Sequence, residues 1–234
     1  MNIHIPNAMA FRNEAAATLK LSLGLSLEDL SLPASQRRHF LSLVHRPPEV
    51  AQHELFQSAK AWTSQWPKES YLIQPQEHLH WTIAGNFQLP TLAKAFQTNQ
   101  HEVTLQKLVK CIQGQLGRFK EGSLSYTIKE PKISRSGINC ELQELSKGMQ
   151  SLIRGMREVL PDGGCDLPPP EVGQMKSITM LRYLQPENLK SHVKNIVGTP
   201  DPYDRHVDIQ VLELVWLDKV AQHFEVIQRF ELTG

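Results

Sequence analysis

His78, His80 and Thr82 alternate with Leu79, Trp81 and Ile83. That period of two belongs to an extended strand, which sends alternate side chains to opposite faces. The strand predicted over residues 79–84 therefore buries Trp81 and Ile83 and turns His80 and Thr82 together into one space, with His78 at its mouth. An imidazole beside a hydroxyl can exchange a proton near neutral pH and hydrogen-bond an anion. Alone, a histidine in a strand is more often structural, so its weight depends on what surrounds it. A second stretch repeats the parity: in the strand predicted over residues 176–184, Ser177 and Thr179 share one face, with Ile178 and Met180 on the other.

The remaining chain supplies mixed helices and strands. Residues 39–44 form an apolar run that ends at Pro47 and Pro48, as a strand ends before proline. A helix follows, with Val50, Leu55, Ala59 and Trp62 on one face and Pro67 as its stop. Residues 90–117 carry helical spacing with a break near residues 98–99. Strands are predicted over residues 123–132 and 137–142, a helix over residues 143–160, and a loop from there to Pro170. A helix opens at Pro186 and runs to residue 197. Two apolar runs, residues 207–217 and 224–232, close the chain as an antiparallel hairpin. Such a mixture implies an α+β fold over a doubly wound sheet.

Composition excludes several classes. The 234 residues carry 25 Lys and Arg against 24 Asp and Glu, a formal charge of +1, so there is no field for a DNA duplex and any phosphate site is local. The three cysteines, Cys111, Cys140 and Cys165, are widely spaced, without a CxxC pair, and read as reduced thiols. No apolar run approaches the roughly 20 residues of a membrane span. A signal-peptide pattern is also missing from the first residues, so a cytoplasmic location without membrane association is expected. Gly155, Gly163 and Gly164 make neither a dinucleotide-binding nor a P-loop fingerprint. Asp201 and Asp204 flank a proline turn and are simpler as loop-formers than as metal ligands.

The order of these elements, with HFLSLVHRPPEV, PQEHLHWTIAG, SITMLRYL and VDIQVLELVWLDKVAQHFEVIQRFEL, resembles the 2H phosphoesterase superfamily, including its RNA 2',3'-cyclic phosphodiesterase and 2'-5' RNA ligase-like branch. The resemblance covers residues 38–232. It implies a bilobal fold: two antiparallel-rich sheets flank a central cleft, helices lie outside, and each lobe presents one HxT strand. It also implies two histidines about a phosphodiester, one activating water and one protonating the leaving oxygen, with the threonines holding the phosphate. No metal or cofactor is required. The implied ligand is a small nucleotide or an RNA terminus carrying a cyclic phosphate.

On that pattern His80 and Thr82 are the catalytic pair, and Ser177, Thr179, Arg182 and His78 are the substrate-binding residues. The departure is Ser177, which stands where the second histidine belongs and has no titration near neutral pH. Turnover is therefore expected to be weakened or lost, leaving a nucleotide- or RNA-binding module as the alternative. Strict alternation would put Arg182 opposite Ser177, in a surface ion pair, and Lys176 likewise off the cleft. His192 and His206 read as solvated or capping residues. Trp62 and Trp81 read as core, and Trp66 as a stacking face for a base.

Residues 1–37 form an N-terminal extension ahead of a domain spanning residues 38–234. Within it Leu19, Leu21, Leu23, Leu25 and Leu27 alternate with smaller or polar residues. That apolar face must be covered, by its own domain or by a protein partner through residues 19–27, which would make an assembly role possible.

Overall fold

The computed structural model describes residues 39–87, 101–118, 123–134, 136–162, 171–172, 176–185, 187–189, 192, 203–218 and 224–232. The expectations for residues 1–37, the break near residues 98–99 and most of the helix at 186–197 lie outside them.

The strands are β1 (His39–His45), β2 (Tyr71–Ile73), β3 (Trp81–Phe87), β4 (Ser125–Ile133), β5 (Gly137–Gln143), β6 (Glu171–Val172), β7 (Ser177–Tyr183), β8 (Arg205–Asp208), β9 (Val211–Asp218) and β10 (Phe224–Glu231). All pair antiparallel in the order β10-β9-β1-β3-β7-β5-β4-β8, with β2 on β7 and β6 on β3. The two predicted sheets are two halves of this one α+β sheet. Among the described residues they meet at a single register pair, Trp81 with Ile178. Beyond it, Ala84 and Gly85 of β3 pair with β6 instead. The halves thus join, among the described residues, through a narrow seam.

Three α-helices are described: α1 (Glu49–Trp62), α2 (His101–Leu116) and α3 (Lys147–Asp162). Pro48 stands at the start of α1, and Ala51, Leu55 and Ala59 are buried one turn apart. At its end the Thr63 hydroxyl donates to the Ala59 carbonyl. In α3, Met149, Leu152, Ile153 and Met156 form the buried stripe expected of an amphipathic helix, and Ser146 caps it by accepting from the Met149 N–H. α1 lies against β7 and β2, α3 against β3 and β4, and α2 against α3. The main core joins these helices to Leu41, Leu43, Trp81, Ile83, Ile178 and Met180, all on one sheet face. The other face carries a smaller buried cluster of Val44, Val215 and Leu217, with Phe224 and Val226 packed on it, and the polar residues of the site.

Some expectations needed correction. The run at residues 207–217 is two strands: β8 pairs with β4, and β9 forms the hairpin with β10. β2 and β6, three and two residues long, were not foreseen. Trp66 is a core residue, edge-on to Tyr71 at 5.7 Å and 7% exposed, so it offers no stacking face. Trp62 packs partly buried against the core, as expected.

Candidate active site

The seam pair builds the site. Trp81, the first residue of β3, stands opposite Ile178 in an antiparallel pair, which by register directs the preceding His80 toward Thr179 and Thr82 toward Ser177. Trp81, Ile83 and Ile178 are fully buried and Met180 is 1% exposed. His80, Ser177 and Thr179 are half-buried on the other face, and Thr82 is buried beside them. The two motifs are thus cross-strand neighbours, a polar quartet over a tryptophan floor.

Arg182 joins them, contrary to strict alternation. On β5, Ile138 faces Leu181 and the next residue, Asn139, faces Thr179. Met180 is therefore the extra residue of a β-bulge, and Met180 and Leu181 are both buried. The bulge resets parity, so Arg182 emerges on the face of Ser177 and Thr179. Its Nε is buried without a hydrogen-bond partner, and desolvation lowers its pKa. The charge persists, since a guanidinium is not deprotonated in proteins. A half-buried guanidinium with an unmet Nε–H can hold an anion.

Gly137 makes this arrangement possible. It pairs with Arg182, and a Cβ there would lie 2.0 Å from the Leu181 carbonyl oxygen and 3.2 Å from the Arg182 Cα. We expect Gly137→Ala to cost about 1–3 kcal/mol, as overpacking does, and to weaken phosphate binding by displacing Arg182. Denaturant unfolding and phosphate titration of the variant would check it. Unchanged values for both would show that β5 yields without moving β7.

His80 is set as a base. Its Nδ1–H donates to the His78 carbonyl at 2.7 Å, which fixes the tautomer and leaves Nε2 for a ligand. Burial depresses its pKa to about 4, opposed by that backbone bond and helped by the nearby Arg182, His78 and Arg46. At neutral pH the imidazole is uncharged and accepts a proton.

Groups that the sequence reading missed hold this histidine. The His78 ring stacks on Phe224, centroids 5.1 Å apart and planes 14° from parallel, and His80 lies 5.5 Å from the same ring. The Arg46 guanidinium sits 5.6 Å from the Phe224 centroid and donates to the Glu77 carbonyl. Arg46 is itself gripped by both carboxylate oxygens of buried Glu213, at 2.5 and 2.7 Å, and Arg229 shares that carboxylate at 3.0 Å. Arg46 lies in HFLSLVHRPPEV, but no local pattern pairs it with Glu213 or Phe224.

Three other described histidines stand apart from this group. His45 lies on the core face, its Nδ1 bonded to the Val211 carbonyl. His206 is exposed beside Asp208, and His192 is bonded through Nδ1 to the Asn188 carbonyl, as expected of solvated or capping residues. Lys176 is exposed, and Asp204 pairs with Lys129 in its turn. Among the described residues no cluster of His, Cys, Asp or Glu is arranged to hold a metal ion. No described helix is long and apolar enough to cross a membrane.

No family model matches the sequence, and no curated protein matches it. Solved structures do. The crystal structure of the protein TT0787 from Thermus thermophilus superposes with a TM-score of 0.57 at 16% identity, over 83% of this chain and 98% of that one. The crystal structure of a phosphoesterase gives 0.51 at 16% identity, over 84% and 100%. Identity this low speaks for the fold alone: the chain is built on the 2H phosphoesterase fold.

Proposed function

We propose that the chain is a 2H-type phosphoesterase-like protein whose cleft holds the phosphate of a small nucleotide or an RNA terminus, a cyclic phosphodiester included. In this reading His80 activates water through Nε2. Thr82, Ser177, Thr179 and Arg182 donate to the phosphate, and His78 lines the mouth with Phe224. The observation that carries the proposal is Arg182, half-buried with a buried, unpartnered Nε on the face that presents His80 and both threonines. Ser177 makes turnover slow or absent, so a binding module is the second reading. A cytoplasmic place suits either, and residues 19–27 keep the proposed role of a protein contact.

The test is titration with inorganic phosphate and 2',3'-cyclic AMP. Hydrogen bonds to charged groups are worth about 1.5–3 kcal/mol each, so Arg182→Met is expected to weaken binding roughly 10- to 100-fold. The variant should stay folded, since it replaces a half-buried side chain with an unmet buried donor by an apolar chain of similar reach. A wild-type chain that binds neither probe, or an Arg182→Met variant that binds both unchanged, would remove the phosphate site.

A further inference from the structure

A phosphodiester in this cleft would meet different chemistry at its two ends. At one end stands the neutral His80 imidazole, tautomer fixed and Nε2 open. At the other, Ser177 lies beside Thr82 and directly across β5 from Glu141. The Glu141 carboxylate accepts from Lys132 Nζ, and this contact lowers its pKa, so it holds no proton to give near neutral pH. Neither Thr82 nor Glu141, the described neighbours of Ser177 on β3 and β5, can act as a general acid near neutral pH.

From this asymmetry, and resting on the phosphoesterase reading above, we infer that the site turns over phosphodiesters whose leaving oxygen departs without a proton. Aryl esters and phosphoanhydrides meet that condition; esters that must expel a ribose alkoxide do not. The water oxygen bonds to phosphorus while His80 Nε2 takes one of its protons. The bond from phosphorus to the leaving oxygen breaks with its electron pair, and the group leaves as a phenolate or phosphate anion. His80 then returns its proton to solvent. Arg182 offers charge to the developing anion but no transferable proton. A ribose hydroxyl is a far weaker acid than a phenol, so its departure needs the missing donor, whose contribution is typically about 10²- to 10⁴-fold.

The experiment is a series of aryl phosphodiesters with phenols of graded acidity, run beside 2',3'-cyclic AMP on wild type, His80→Ala and Ser177→His. In wild type, kcat/KM should fall steeply as the phenol becomes less acidic, should vanish in His80→Ala, and should be lowest for the cyclic ester. Ser177→His should flatten the series. If that variant misfolds, the wild-type series still decides: a flat dependence means that some group already supplies the proton, and overturns the inference. Arg182-dependent phosphate binding with no hydrolysis of any aryl ester also overturns it, while leaving the phosphate site intact. Absence of phosphate binding overturns both.

Discussion

Ser177→His is expected to raise kcat/KM on 2',3'-cyclic AMP by about 10²- to 10⁴-fold, the usual effect of one positioned acid or base. At about 1.36 kcal/mol per decade, that is roughly 3–5 kcal/mol of transition-state stabilisation. The geometry favours the substitution. Position 177 is half-buried on the cleft face, beside Thr82 and one strand from His80. Glu141 stands directly opposite on β5, and an anionic neighbour raises the pKa of an imidazole. The new histidine would then be protonated at neutral pH while His80, with a pKa near 4, stays neutral. One acid and one base would flank the phosphate, their pKa values pushed apart by their surroundings. His80→Ala in the same background should remove the gain. A folded Ser177→His variant that binds cyclic AMP as wild type does but gains no rate would mean that the two strands do not flank a phosphodiester. His80 would then be a structural residue on a borrowed fold.

The floor and the quartet were legible because they obey the simplest periodicity. Trp81 and Ile83 alternate with His80 and Thr82, as Ile178 does with Ser177 and Thr179, and each residue lies on the face its parity assigns. Arg182 was not legible. Its side depends on the bulge at Met180, which sits where Gly137 lets β5 and β7 approach, and the string SITMLRYL carries no sign of it. The division of residues 207–217 into β8 and β9 was hidden for a similar reason. Val207 and Ile209 are both buried and Asp208 and Gln210 exposed, so alternation continues although the hydrogen-bonding partner changes. Two- and three-residue strands such as β6 and β2 are too short to show a period. The support behind His80 is long-range. Arg46, Glu213 and Phe224 come from the end of β1, β9 and β10, and only the hairpin's docking on β1 brings them together. Trp66 failed in the opposite sense, since a tryptophan before a proline looks surface-bound until Tyr71 and Tyr183 pack around it.

Trp81→Ala should be the most damaging single truncation near the cleft. The indole is fully buried, edge-on to Tyr126 at 5.2 Å, and among the described residues its position is the one through which β3 registers with β7. Truncating a buried tryptophan typically costs about 3–5 kcal/mol, a large share of the roughly 5–15 kcal/mol that holds a domain together. Two atoms beside the cavity temper the loss: His45 Nε2 and the Tyr126 hydroxyl are both buried without partners, and a polar cavity admits water that could bond them. The cost should therefore sit nearer ~3 than ~5 kcal/mol, which at about 2–4 °C per kcal/mol lowers Tm by roughly 6–12 °C. The site should suffer further, because the quartet is aligned by the pair it stands on. Phosphate affinity should fall in Trp81→Ala even at temperatures where the variant is fully folded. Trp81→Phe, which keeps an aromatic floor, should lose less of both. Thermal unfolding and phosphate titration of the two variants separate the effects. A stability loss with unchanged affinity would show that the seam is held by the backbone alone, and that the indole serves the core without aligning the site.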